Sequence, residues 1–296
     1  MNFGRSPNPL FRRLLGAILV VFACESAIAL SPDDDLTKAL VPIRFGTNIP
    51  AVEAESAKLL QQHTNSPEAL GRIYLSLALN SEYVHINDFS NIIETSQSAL
   101  QYPLDVMDAC SAYHNLADGL RMKMMSSGHA FSPRLNEREQ TEMRKQILDV
   151  HLNALKLVLG KATTLQKREV PGVPTFSVAL AVIMTNATQT QEEREKYDAL
   201  NRTNALWYQK ALQENQAQWK AHDEIVAAND LVDQYNRFKR DVIDLYRGIP
   251  FVEEIAAEAE KVAPGDPKIK ELAVELVEEV KKSNVPPPIS EPKPVQ

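Results

Sequence analysis

The chain has 296 residues, of which 6% are aromatic and 10 are glycine, and its formal net charge is −7. A chain of this length can bury a sizeable core without disulfides. Few aromatic residues and few glycines favour helices packed through alanine and leucine over twisted sheets, so we expect an all-α protein. Because the acidic chain has no block of lysines and arginines, it is poorly suited to bind a phosphate backbone, and we expect no nucleic-acid partner.

The N-terminal segment has the composition of a secretory signal peptide. Basic residues precede a short apolar run from Leu14 to Ala23, which is too short to span a bilayer. Small residues at Ala27 and Ala29 suit signal peptidase. We therefore predict that residues 1–29 are removed, that the mature protein begins at Leu30, and that it is exported to the periplasm or secreted.

A second interpretation of the same segment is a lipoprotein signal. The residues from Val21 to Cys24 form a degenerate lipobox, which would leave a lipidated Cys24 and a membrane anchor. Phe22 fits that pattern poorly, so cleavage after Ala29 is preferred. In either case Cys110 is the single cysteine of the folded part, so no disulfide can form within it and its stability must come from packing.

Start and stop signals divide the first half of the chain into helices. Asn48 and Ser66 are caps followed closely by proline, and Pro103 ends a helix because the residue before a proline is pushed out of helical geometry. Asn136 is followed by the acidic first turn that favours a helix N-terminus. The predicted helices are approximately Ala51–His63, Pro67–Val84, Asp88–Gln101, Leu104–Met125 and Asn136–Arg168.

The second half begins at a break between Val170 and Pro174. An apolar helix, Phe176–Thr185, should follow, and then a long helical stretch, Glu192–Arg247, with a bend in its polar middle. Gly248 is a predicted C-cap that starts a terminal hairpin, Ile249–Lys282. We thus predict a helical domain over 30–169, a C-terminal helical region over 170–283 and a disordered proline-rich tail over 284–296.

Two segments of the first half share a pattern of an aromatic residue, then leucine at +3 and a small residue at +4. The second segment also has a large residue at +7, and its matching residues are Tyr113, Leu116, Ala117 and Leu120; the first segment matches at Tyr74, Leu77 and Ala78 but has Ser81 at +7. Between them, the second helix of a hairpin is suggested by Phe89, Ile92, Ala99 and Pro103. This pattern resembles the tetratricopeptide repeat, in which the small residue lets paired helices approach closely.

The resemblance covers residues 66–125, about one and a half repeats, whereas about three normally make a stable stack. It implies stacked antiparallel helical hairpins of the α-solenoid type, with a groove lined by the first helix of each pair. The implied groove residues are Asn80, His114, Asn115 and Arg121. The alternative is that any helical hairpin with small residues at its crossing produces such a match.

Short motifs of catalysis and cofactor binding are missing from the sequence, including the nucleophile elbow, the phosphate loop and the zincin motif. Cys110, His114 and Asp118 are spaced four apart on one helical face and could hold a soft metal such as copper. We prefer the interpretation that Cys110 is a small core residue. We therefore expect no catalytic residues, no metal and no cofactor.

Two functions are compatible with these features. The preferred one is a non-catalytic scaffold that offers a helical groove to a protein or peptide partner in the cell envelope. The alternative is a helical envelope hydrolase acting on cell-wall polymers, with a glutamate in the C-terminal half near Trp207 and Trp219. A cleft lined by those tryptophans beside an acid of raised pKa would favour the hydrolase.

Overall fold

A computed structural model describes residues 35–84, 89–126, 135–172 and 216–284, together with scattered positions between 190 and 213. Over these residues the protein has nine helices and no strand, which confirms the predicted all-α class. The helices are α1 Asp35–Phe45, α2 Ile49–Gln62, α3 Pro67–Val84, α4 Phe89–Leu100, α5 Val106–Ser126, α6 Glu137–Lys161, α7 Gln216–Leu245, α8 Glu253–Val262 and α9 Pro267–Ser283. The predicted signal segment, the apolar helix Phe176–Thr185 and the tail from residue 285 lie outside this part of the chain.

Several helices begin where local capping predicts. The Asn48 side chain accepts a hydrogen bond of 3.4 Å from the Ala51 N–H. Asn136 and Glu139 form a reciprocal capping box, with bonds of 2.9 and 2.8 Å, in which each side chain bonds the other residue's backbone N–H. Asp266 accepts a bond of 2.9 Å from the Lys268 N–H at the start of α9. These side chains satisfy backbone donors that have no partner inside a helix.

The end of α6 differs from the prediction. The helix stops at Lys161, seven residues before the expected Arg168, and Ala162 has extended backbone geometry. Thr164 provides the physical reason, because its hydroxyl accepts a bond of 3.1 Å from the Gln166 N–H. Such a local side-chain bond offers the backbone an alternative to the helix.

The helices from α2 to α6 pack in chain order. Each contacts the next, and α3 also contacts α5 directly. Gly119 on α5 marks a close approach, since a Cβ placed there would lie 3.0 Å from Cγ1 of Ile93 and 3.1 Å from Cγ2 of Ile92, both on α4. A hydrogen in place of a side chain therefore allows α5 to lie against α4.

The chain divides into two compact units. One combines Ala39–Lys167 with Ala228–Gln296, and the other combines Met1–Lys38 with Arg168–Ala227. The predicted boundary lies close to residue 169. The C-terminal helices α8 and α9, which fall within the predicted region 170–283, belong to the same unit as the N-terminal helices.

A shared core explains why these distant segments form one unit. Leucines of α6 pack against aromatic and aliphatic residues of α7, α8 and α9. Buried members of this core include Leu148, Leu152, Leu155, Phe238, Val242, Ile255, Leu272 and Leu276. In addition, α8 packs directly on both α6 and α9. The long sequence separation of these contacts is why local patterns did not predict them.

The terminal hairpin forms as predicted, with one exception. The stripe on α9 is buried from Ile269 to Val280, and Val252 and Ile255 are buried opposite it. Phe251 was expected in the same core, but its exposed fraction is 70%. Val252, the N-cap residue of α8, was expected in the same core and is buried there.

The turn between α7 and α8 is held by a side chain from the end of α9. Gly248 was predicted as the C-cap of α7; this helix ends three residues earlier, at Leu245, and Gly248 has a φ of 75° in the turn that follows. Its N–H donates to Oδ1 of Asn284 at 2.7 Å, and Nδ2 of Asn284 donates to the Ile249 carbonyl at 3.1 Å. Asn284 thus ties both ends of the hairpin together.

Among the helices of the described residues, none is long and apolar enough to cross a membrane.

Candidate functional site

A pocket of about 320 Å³ lies between α2, α3 and α4. Among the described residues, each of these consecutive helices contributes three to the lining. The lining is Ile49, Val52 and Glu53 from α2, Leu77, Asn80 and Ser81 from α3, and Ser90, Asn91 and Glu94 from α4. The pocket therefore joins an apolar wall, a set of uncharged polar groups and two carboxylates.

Asn80 is the buried polar residue of the pocket, and its exposed fraction is 3%. Its Nδ2 donates to the backbone carbonyls of Gly46 at 2.8 Å and of Arg44 at 3.4 Å. These bonds hold the connection between α1 and α2 against α3. They also use the donors of the amide, so the amide oxygen is the polar atom that Asn80 can offer to the pocket.

The Ser81 hydroxyl is also committed to partners within the protein. It donates to the Leu77 carbonyl at 2.9 Å and accepts from Nδ2 of Asn91 at 2.8 Å. This chain of bonds fixes α4 against the last turns of α3. As a result, the polar wall of the pocket is held in one arrangement before any ligand arrives.

Glu53 and Glu94 supply the negative charge of the pocket. Both residues are exposed, and they approach it from different helices. Within the part of the chain that the structure describes, neither carboxylate forms an ion pair. Their charge is therefore available to a ligand.

A second polar feature lies between α5, α6 and α7 and centres on His114. The exposed fraction of His114 is 6%, and its ring stacks on Phe238 with centroids 4.0 Å apart and an interplanar angle of 8°. Its Nε2 lies 3.0 Å from Oε1 of Gln234, and its Nδ1 lies 3.9 Å from Oδ2 of Asp241. The three α7 residues share one helical face, because they are spaced four and three apart.

His151 on α6 meets the same Phe238 ring from another side, at 5.8 Å and 57°. It is 1% exposed, and neither of its ring nitrogens has a hydrogen-bond partner among the described residues. Burial, together with charge repulsion from Arg121 and Arg237, lowers the pKa of His151 to about 3 and that of His114 to about 4. Both imidazoles are therefore neutral at neutral pH.

Carboxylates surround this histidine pair. Burial raises the pKa of Glu82, Asp118 and Asp241, and Arg237 opposes the rise at each of them. Arg121 also opposes it at Asp118, whose Oδ1 lies 3.7 Å from Nη1 of Arg121. The cluster contains groups capable of acid–base chemistry, but none of them lines the pocket between α2, α3 and α4.

The four residues that the sequence singled out as groove residues separate into two places. Asn80 lines the pocket. His114 and Asn115 are 6% and 4% exposed, so they pack between helices and do not face an open groove. Arg121 lies with Asp118 at the edge of the histidine cluster. The large aromatic ring of Phe238 on α7 is the reason, because it covers the face of α5 that was expected to be open.

Cys110 lies in the core with an exposed fraction of 0%, as its interpretation as a packing residue predicted. Burial raises its pKa to about 12, so the thiol stays protonated and is a poor ligand for a soft metal. Among the described residues, no group of three His, Cys, Asp or Glu side chains is placed to hold a metal ion.

Trp219 was expected near a hydrolytic cleft together with Trp207. In the structure, its ring meets the His222 ring edge-on, with centroids 6.0 Å apart. Trp207 lies outside the described residues, and so does the expected cleft between the two tryptophans.

Residues that the sequence did not single out carry much of both sites. Gln234, Phe238 and Asp241 recur at helical spacing, which is a local signal for one shared face of α7. Glu53 and Glu94 gave no such signal, since an exposed glutamate on a helix is ordinary.

Comparisons of the chain with protein-family models, curated proteins and solved structures found no match.

Proposed function

We propose that this protein is an exported, non-catalytic interaction module that binds a protein or peptide partner in the cell envelope. The observation that carries the proposal is the pocket between α2, α3 and α4. Its volume, about 320 Å³, lies at the small end of the range for ligand sites, roughly 300–1,000 Å³. A pocket of this size suits one side chain of a partner better than a large cofactor.

Helix order and packing support a repeat-like scaffold beneath this pocket. The contacts of α3 with α4, of α5 with α6 and of α3 with α5 are those expected when two helical hairpins stack side by side. Ala78 and Ala117, the small residues of the tetratricopeptide-like pattern, are both 0% exposed. Full burial of both alanines is what a close helix crossing requires.

Photo-crosslinking in the source organism tests the binding function. A photoreactive amino acid with a small aliphatic diazirine side chain would replace Ser90, which is exposed and lines the pocket, and, as a control, Glu271, which is exposed on α9. We expect one adduct of defined mass from position 90 and none from position 271. The absence of an adduct at position 90, or the same adducts at both positions, would show that the pocket is not a contact site.

Export is the second half of the proposal, and it rests on the sequence of residues 1–29. The intact mass of the protein recovered from the source organism distinguishes the two processing routes. A mass that begins at Leu30 supports signal cleavage, whereas a diacylglyceryl adduct on Cys24 would make the protein a membrane-anchored lipoprotein. A full-length mass in the cytoplasm would contradict export altogether.

We propose no hydrolase function in parallel. That alternative requires an acid beside Trp207 and Trp219, and the one tryptophan of the two that is described meets His222. Three carboxylates with raised pKa, those of Glu82, Asp118 and Asp241, lie instead near Arg237 in the histidine cluster.

A further inference from the structure

We infer that the pocket between α2, α3 and α4 receives a lysine or arginine side chain of the partner. This inference rests on the proposed function and specifies the chemistry of the ligand. It follows from three properties of the lining: the supply of hydrogen-bond acceptors, the commitment of the donors, and the charge.

Acceptors dominate what the pocket offers. The Asn80 amide donates both of its described bonds to backbone carbonyls, and its oxygen has no donor among the described residues. The carboxylates of Glu53 and Glu94 accept only. A ligand that matches this set is rich in donors and lacks acceptors, which describes the lysine ammonium group and the arginine guanidinium group.

The committed donors strengthen this conclusion. The hydroxyl proton of Ser81 goes to the Leu77 carbonyl, and the Ser81 oxygen is occupied by Nδ2 of Asn91. An anionic or acceptor-rich ligand would therefore find few donors and would face the two glutamates.

The apolar part of the lining fits the rest of a basic side chain. Val52 is buried, and Ile49 and Leu77 are partly buried along the same pocket. Lysine and arginine carry methylene stems that cover apolar surface while the charged group reaches polar partners. The net charge of −7 adds a weak long-range attraction for a basic segment of a partner.

The test uses peptides selected on the whole protein. Random 12-residue peptides displayed on phage are selected against the unmodified chain, and the best peptides are synthesised with a fluorescent label. We expect lysine or arginine at one fixed position. Replacing that residue by norleucine, which keeps the stem and removes the charge, should weaken binding about three- to tenfold, the range for one or two partly exposed ion pairs.

Two double variants test whether Glu53 and Glu94 bind the basic group of the peptide. The Glu53→Gln, Glu94→Gln protein should bind the basic peptide about three- to tenfold more weakly and should no longer distinguish lysine from norleucine. The Glu68→Gln, Glu271→Gln protein changes the net charge equally at exposed residues outside the pocket, and its affinity should stay within about twofold of the unmodified chain. Equal weakening in both proteins would reduce the effect to general charge attraction and overturn the inference.

Blocking the pocket separates this inference from the proposed function. Ser90→Trp places a large ring at the exposed edge of the lining and should abolish binding of any peptide that uses the pocket. If the selected peptides have no fixed basic residue but still fail to bind the Ser90→Trp protein, the choice of ligand is overturned and the interaction site is kept. Peptides insensitive to Ser90→Trp, or no selected peptide at all, would overturn both.

Discussion

Replacing His151 by leucine tests the buried histidine cluster directly. His151 is 1% exposed, contacts Phe238 and has no hydrogen-bond partner for either ring nitrogen among the described residues. A buried polar group without a partner costs about 1–3 kcal/mol. At about pH 7.5 we therefore expect His151→Leu to keep the free energy of unfolding within about 1 kcal/mol or to raise it, although most core substitutions lower it.

The dependence on pH gives a second and larger signal. In the folded protein, the pKa of His151 is about 3 and that of His114 is about 4, below the unfolded value of about 6.5. A lowered pKa means that stability is complete above about pH 6.5 and is lost as the pH falls below it, because only the unfolded chain takes up the protons. Linkage gives a loss of about 2 kcal/mol for each histidine between about pH 7.5 and pH 5.

The neighbouring carboxylates act in the opposite direction. The pKa values of Glu82, Asp118 and Asp241 are raised, so these groups bind protons more readily in the folded protein and stability recovers as the pH falls through their raised values. The His151→Leu protein keeps all three carboxylates. Comparing it with the unmodified protein therefore isolates the contribution of His151.

Urea unfolding followed by circular dichroism at the two pH values measures the effect. The unmodified protein should lose about 2 kcal/mol more than the His151→Leu protein on going from about pH 7.5 to pH 5. Leu148→Met, a buried change on the same helix without a titratable group, should keep the full dependence on pH. An unchanged dependence in His151→Leu, or a loss above about 3 kcal/mol at pH 7.5, would mean that the ring is charged or hydrogen-bonded in the folded state.

The remaining predictions concern packing and are read from urea midpoints. Gly160→Ala, at an exposed helical position with open space around the new Cβ, should raise the free energy of unfolding by up to about 1 kcal/mol. Gly119→Ala should give a free energy of unfolding about 1–3 kcal/mol lower than Gly160→Ala, because its new Cβ meets α4. Equal gains in the two variants would refute the close crossing of α4 and α5. Ala117→Leu should lower the free energy of unfolding by about 1–3 kcal/mol, whereas Ala54→Leu, at an exposed position on α2, should keep it within about 0.5 kcal/mol of the unmodified protein. Equal effects of the two changes would remove this support for the tetratricopeptide resemblance. Leu276→Ala should cost about 2–5 kcal/mol, since the side chain is fully buried, and a loss of a few tenths would show a loosely attached α9.

Helix type and helix starts were predictable because the signals are local. Asn48, Asn136 and Asp266 cap helices through bonds to residues two or three positions away, so a short window of sequence contains the whole interaction. The burial of Ala112, in contrast, depends on tertiary contacts that no short window contains. Ala112 and Ala117 are both 0% exposed, because α5 contacts α3, α4 and α6 and has several covered faces.

The site was only partly predictable, because helix crossings decide which side chains share a pocket. Asn80 was selected from the repeat pattern, and it lines the pocket. Glu53 and Glu94 are separated by 41 positions, and only the packing of α2 and α4 on α3 brings both to the same cavity. His114 was expected in an open groove, but Phe238, more than a hundred residues later, covers it.

The last turns of α3 connect the two polar features. Asn80 and Ser81 face the pocket, whereas Glu82, the next residue, lies where Asp118 and Arg237 act on its pKa. Successive residues of a helix point in directions about 100° apart, so one turn can serve both places. The residues that bind and the residues that govern acid stability are nevertheless different. The Glu53→Gln, Glu94→Gln protein should therefore keep the pH dependence of the histidine pair, and a change in that dependence would show that the pocket and the cluster are coupled through α3.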